Sequence, residues 1–335
     1  MNYRQLGHSG LSVSEISLGS WLTYGAYTDD STALACLHRA YEHGVTFFDT
    51  ADIYHYGGAE QLIGRFLQQV PRTRVVIGTK AFFPMSDHPL DRGLSRRHLH
   101  NSCAASLRRL GTDYIDLYQC HRYDPHTPLA ETCYAMQSLI EWGWIRYWGV
   151  SQWTAVQITN AVRLCERHGW QPPISNQPIY NLLNRSLEVD VMEVCETEGL
   201  GLVVYSPLAQ GILSGKYRPG VIPPDSRAAN EQATRYFAHK RLNDQTFQYL
   251  AHLEAVAADQ SCTLAQLALA WCLRKAPVSA VITGASKPEQ IDINVRASSL
   301  RLDADTLERI EAILDNAPID QYTGSRIGHG VHQTT

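Results

Sequence analysis

Eight times along this chain a short apolar run gives way, through a polar loop, to a segment whose apolar residues recur at helical spacing, with a period of roughly 30 residues. The apolar runs are 16–21, 45–48, 75–80, 114–120, 148–151, 174–177, 202–206 and 278–284. Strands that alternate with helices must return to the same end of a sheet, so they lie parallel. Eight such units without a break in composition predict an α/β fold of the closed (β/α)8, or TIM, barrel type rather than an open sheet. No G-x-G-x-x-G follows any of the runs, which argues against a Rossmann dinucleotide site.

Punctuation supports the same division. Residues 1–16 hold two extended pieces around Gly7-His8-Ser9-Gly10 and predict a β-hairpin ahead of the barrel. Asp29, Ser95 and Thr154 stand where helices should be capped, and Gly44, Gly111 and Gly143 where they should end. Segments 187–198, 244–259, 263–275, 288–297 and 303–314 read as helices, so extra helices are expected towards the C-terminus. Ser286-Lys287-Pro288-Glu289 has the form of a capping box. The connection 207–243 is long for a βα loop and reads as a lid or strap. Residues 1–317 are thus expected to form one domain, followed by a polar, poorly ordered tail, 318–335.

Composition excludes several function classes. A net charge of -4 with no long basic run disfavours nucleic acid as a partner. No apolar stretch is long enough to span a bilayer, and the first ten residues lack the apolar core of a secretory signal. The eight cysteines form no C-x-x-C pair and fall mostly within helical patterns. They are expected to be reduced core thiols of a cytoplasmic protein, with no metal site among them.

The chemistry gathers at strand ends. Asp49 and Tyr54 lie in the loop after the second run, Lys80 ends the third and His121 follows the fourth. In a parallel barrel the carboxyl ends of the strands converge on one face, where active sites form. A phenol has an ordinary pKa of about 10 and is a poor acid at neutral pH, so a nearby cation such as Lys80 is expected to help it give up a proton. Singly, each of the four has a plain alternative: a turn-forming Asp, a loop Tyr, a surface Lys, a hydrogen-bonded loop His. Together and in order they make a proton-transfer site.

These four residues, with Phe48-Asp49-Thr50-Ala51, Tyr147-Trp148-Gly149-Val150-Ser151, Tyr205-Ser206-Pro207-Leu208-Ala209, the segment 211–217 and Gly284-Ala285-Ser286, resemble the aldo-keto reductases. Within that family the chain is most similar to the voltage-gated potassium channel β-subunits and their bacterial relatives, through 92–98, 147–151, 222–227 and 264–274. The resemblance runs from about residue 3 to about residue 318. It implies a catalytic tetrad of Asp49, Tyr54, Lys80 and His121. It further implies reduction of aldehydes or activated ketones by NADP(H), with Tyr54 as general acid, His121 orienting the carbonyl and Asp49 holding Lys80. The channel branch often carries Asn where this chain has His121, and the histidine favours turnover.

The same resemblance implies the cofactor residues. Ser20, Trp21, Asp49, Ser151, Gln152, Gln177 and Tyr205 would surround the nicotinamide. Ser206, Pro207, Leu208, Ala209, Gln210, Lys216 and Arg227 would wrap the pyrophosphate. Gly284, Ser286, Lys287, Gln290 and Asn294 would hold the adenosine end. Ile293 replaces an acidic residue of that branch. Trp21, Tyr54, Phe82, Phe83, His121 and Tyr123 are expected to line the substrate pocket. The partners implied are a small carbonyl compound and, from the fourfold rings of that branch, further copies of the chain. A second reading is a regulatory or redox-sensing subunit that holds NADP(H) and turns over slowly.

Overall fold

The structure, a computed structural model, describes residues 1–315 apart from 25–27, 232, 235, 236 and 238. The tail 318–335 lies outside the described residues. A hairpin of β1 (Tyr3–Gln5) and β2 (Ser12–Ser14) precedes eight parallel strands. These are β3 (Ile16–Gly19), β4 (Phe47–Asp49), β5 (Val76–Ala81), β6 (Ile115–Cys120), β7 (Ile145–Ser151), β8 (Ser175–Gln177), β9 (Gly201–Val204) and β10 (Val278–Thr283). Each pairs with its neighbour in chain order, and β10 pairs with both β9 and β3, so the sheet closes into the (β/α)8 barrel that the alternation predicts.

Helices surround it: α1 (Asp30–Glu42), α2 (Gly58–Leu67), α3 (Arg96–Leu110), α4 (Leu129–Glu141), α5 (Ala155–His168), α6 (Val191–Thr197), α7 (Asp244–Asp259), α8 (Leu264–Leu273), α9 (Pro288–Asn294) and α10 (Ala304–Leu314). The Asp29 carboxylate accepts from the Thr32 amide at the start of α1, and the Ser95 hydroxyl from the His98 amide at the start of α3. Thr154 and Gln157 form a full capping box before α5, as do Thr263 and Gln266 before α8. Three expectations fail. The helix expected over 288–297 ends at Asn294 and passes into a 3-10 turn, Val295–Ser299. The helix expected over 187–198 breaks into a 3-10 turn, Ser186–Glu188, and α6, because Glu188 is held inward by Arg185 and Arg274. Ser286 and Glu289 do not form a box either. Pro288 starts α9, Lys287 takes the cap position without a side-chain bond, and the Ser286 amide donates to Gln290 Oε1 at 2.8 Å.

The core has two layers. The larger packs helices onto the outside of the barrel and includes the buried cysteines Cys36, Cys103, Cys120, Cys133, Cys165, Cys195 and Cys272, all free. The smaller fills the lower barrel with Phe47, Val76, Leu117, Val203 and Ala280, and the hairpin contributes Leu6 and Val13 as a floor. Gly7 makes that closure possible. It has a φ of +59°, and a Cβ there would meet the Gly199 carbonyl at 2.2 Å. With one end closed by the hairpin, the site can open only at the carboxyl ends of the strands. Among the described residues no helix is long and apolar enough to cross a membrane.

Candidate active site

Above the apolar plug, the barrel lumen turns polar. β4 ends on Asp49, whose register partners are Gly19 and Gly78. β5 carries Lys80 opposite Gln119 of β6, and β7 ends with Ser151 opposite Gln177 of β8. The side chains converge: Lys80 Nζ donates to Asp49 Oδ2 at 2.7 Å and to the Thr50 carbonyl at 2.6 Å, and Gln177 Nε2 donates to Asp49 Oδ1 at 2.8 Å. Ser20 is buried behind them, its hydroxyl donating to Thr50 Oγ1 at 2.9 Å. Burial, partly offset by Asp49, lowers the pKa of the Lys80 ammonium.

Tyr54 and His121 face each other across this floor, their rings edge to face at 5.7 Å. The Lys80 ammonium lies 5.1 Å from the centre of the Tyr54 ring. The phenol does not behave as the sequence suggests. Burial and then the charge of Asp49 push its pKa well above the usual tyrosine value, and the cation that chiefly offsets them is Arg122, not Lys80. Lys80 donates to Asp49 and to the Thr50 carbonyl rather than to the phenol. His121 is buried and held well below its ordinary pKa by burial and by the charges of Lys80 and Arg122, so it is a neutral imidazole at neutral pH. Its Nδ1 has no hydrogen-bond partner among the described residues.

All of this opens into a cavity of about 960 Å³ that runs from Asp49, Tyr54 and His121, beneath the segment after β9, to α9. Trp21, Phe83, Ser151, Gln177 and Tyr205 line its inner part. Ser206, Pro207, Leu208, Gln210, Lys216 and Arg227 line the strap side, and Gly284, Ser286, Gln290 and Asn294 the far end, with Ile293 beside them. Four residues expected at the site stand behind or beside the wall. Gln152 donates to the Tyr205 hydroxyl, Ala209 is buried under the strap, Phe82 packs edge on against Phe83, and Tyr123 against Trp153. Lys287 also stays off the wall, pairing with Asp225 at 3.0 Å on the surface.

The strap leaves the barrel through a strained turn. Ser206, Ala209 and Gln210 all have positive φ, at 52°, 46° and 60°, a conformation that non-glycine residues adopt at a cost. It then crosses the mouth, so that the Arg227 guanidinium lies 5.6 Å from the Trp21 ring. The Lys216 side chain is exposed where it lines the cavity and makes no ion pair among the described residues. Its pKa is lowered first by partial desolvation and then by the charge of Arg227. Cations crowded onto one wall fit an anionic ligand, and a dinucleotide supplies phosphates for them. Arg122 and Ile53 also line the cavity and were not expected there. The signal for Arg122 lay in its position directly after the strand-end His121.

The chain is 41% identical to a protein of Arabidopsis thaliana named as a probable voltage-gated potassium channel subunit beta, over 95% of this chain and 98% of that one. A rice protein of the same name is 42% identical over the same shares. A putative subunit of this kind from Schizosaccharomyces pombe is 39% identical, over 96% of this chain and 95% of its own. Residues 15–315 match the aldo/keto reductase family, whose members are oxidoreductases that bind NAD(P)H. The chain belongs to the aldo/keto reductase family.

Proposed function

We propose that this protein reduces aldehydes or activated ketones to alcohols at the expense of NADPH, with Asp49, Tyr54, Lys80 and His121 as its catalytic residues. The observation that carries the reading is the buried Lys80–Asp49 pair set directly beneath Tyr54 and His121 at the inner end of a cavity with a cationic outer wall. Bound NADPH would supply the hydride. The developing oxyanion would then be met by two donors, the Tyr54 hydroxyl and the neutral imidazole of His121. The raised pKa of Tyr54 keeps the phenol protonated, as a proton donor requires, and the positive charges of Lys80 and Arg122 favour the phenolate left behind. Asp49 fixes the Lys80 ammonium, and Gln177 and the Thr50 carbonyl fix the pair.

Ser20, Trp21, Ser151, Gln152, Gln177 and Tyr205 would hold the nicotinamide end. Lys216, Arg227 and the strap would hold the phosphates, and α9 the adenosine. We assign the protein to the cytoplasm and to a homo-oligomer, which light scattering tests: a mass near 37.5 kDa removes the oligomer. The names of its relatives favour a second reading, a subunit that holds NADP(H) and turns over slowly. Single-turnover NADPH oxidation across a panel of aldehydes separates the two. Consumption supports the reductase, and tight cofactor binding without consumption supports the regulatory subunit.

A further inference from the structure

Arg122 sits in the cavity wall beside the reacting groups; its charge favours the Tyr54 phenolate, yet no step of the proposed reaction uses its N–H donors. Its Nη1 donates to the His121 carbonyl at 2.5 Å, and its Cζ lies 5.4 Å from the Phe83 ring. The head group is therefore held between two residues that both line the cavity. Among the described residues it makes no ion pair and no other hydrogen bond. A guanidinium carries five N–H donors in a planar fork, so most of its capacity remains available. Other cations at the wall are committed elsewhere: Lys80 is sealed against Asp49, and Lys216 and Arg227 belong to the strap. Phe83 offers its ring to the Arg122 guanidinium, and Tyr54 and Trp21 add aromatic surface to the same cavity.

We infer that Arg122 selects substrates that carry a carboxylate on an apolar stem, and binds that carboxylate while the carbonyl lies against Tyr54 and His121. A lone fork between a backbone carbonyl and an aromatic face suits a planar carboxylate, which it can meet with two parallel bonds. A substrate without the charge leaves the guanidinium facing the cavity unanswered. This inference rests on the carbonyl-reductase reading and names its substrate class.

The test compares 5-oxopentanoate with its methyl ester, two aldehydes with the same reacting carbon and different charge. Wild type is expected to show a kcat/KM about ten- to hundredfold higher for the acid, as one charge-assisted hydrogen-bonded pair commonly gives. Arg122→Gln should collapse that ratio to near one, chiefly through the KM of the acid, and Arg122→Lys should restore part of it. If wild type treats both alike, or if Arg122→Gln slows both equally, the inference is overturned while carbonyl reduction stands. If no aldehyde is consumed at all, the reductase reading fails, and calorimetric titration still decides the role of Arg122. Pentanoate should bind wild type at least about tenfold more tightly than Arg122→Gln, with pentanamide showing no such difference. Equal pentanoate affinities overturn it.

Discussion

The ammonium of Lys80 lies 2.7 Å from the carboxylate of Asp49, and the two side chains are 0% and 4% exposed. An ion pair so enclosed is expensive to desolvate and is repaid only by good geometry and further hydrogen bonds. Thr50 and Gln177 provide those bonds. Four different strands and loops of the barrel thus meet at one pair, which ties the shape of the site to the closure of the sheet.

Removing one partner should therefore damage both stability and chemistry. Lys80→Met leaves the Asp49 carboxylate buried without its cation and should cost about 3–5 kcal/mol in urea unfolding. The double variant Asp49→Asn/Lys80→Met should recover most of that loss, because no charge remains buried, yet still fail to oxidise NADPH in a single turnover. Recovery of turnover with recovery of stability would show the pair to be structural only.

The strap cations should favour NADPH over NADH. Lys216, Arg227 and Lys287 put positive potential near the outer end of the cavity, where a 2′-phosphate adds two negative charges at most. Lys287 is exposed and bridges to Asp225, a bond worth little in water, so it is available to a ligand at small cost. Lys287→Glu should lower NADPH affinity about tenfold relative to NADH, roughly the worth of one charged hydrogen bond. Fluorescence titration with both cofactors checks this, and equal affinities in wild type would count against it.

Asp52, three residues after Asp49, gives a pH prediction. It is buried, with Ser102 donating to Oδ2 at 2.8 Å, and burial followed by the charge of Glu60 raises its pKa to about 7. Unfolded, the same carboxyl ionises near its ordinary value of about 4. Between those two values the unfolded chain releases a proton that the folded chain keeps, so this group lowers stability progressively as pH rises from about 4 to about 7. Below that window it contributes no penalty, and above it the penalty is constant. Asp52→Asn cannot ionise, so its stability should gain on wild type across this window by on the order of a few kcal/mol. Parallel urea-unfolding profiles for the two proteins would refute the assignment.

The barrel was legible because a parallel strand buried on both faces leaves a short apolar run, and the period of those runs fixes the strand order. Strand ends were legible for the same reason, which is why Asp49, Lys80 and His121 could be placed before the structure was known. What lay beyond the strand ends was harder. Arg122 reads as an ordinary loop charge, and only the fold turns it towards the cavity. Lys287 reads as a phosphate ligand, and its exposed pairing with Asp225, 62 residues away in sequence, is something only the fold supplies. The direction of the Tyr54 pKa depends on burial and on the charges of Asp49 and Arg122 around the ring, and neither is carried by spacing along a chain.

The sharpest prediction concerns Tyr54 itself. Tyr54→Phe removes one hydroxyl from a ring that packs edge to face against His121, and the phenylalanine ring fills the same space. NADPH affinity should therefore stay close to wild type, while carbonyl reduction falls by on the order of 10²- to 10⁴-fold, the usual worth of a positioned general acid. His121→Asn should be milder and should vary with the substrate, because an amide can still donate to the carbonyl oxygen but from a shorter, differently aimed side chain. Single-turnover NADPH oxidation measures the first quantity and fluorescence titration the second. Wild-type turnover in Tyr54→Phe would remove Tyr54 as the acid and leave His121 as the remaining donor at the reacting oxygen. A loss of turnover matched by an equal loss of cofactor affinity would instead mean that the ring, and not its proton, is what the site requires.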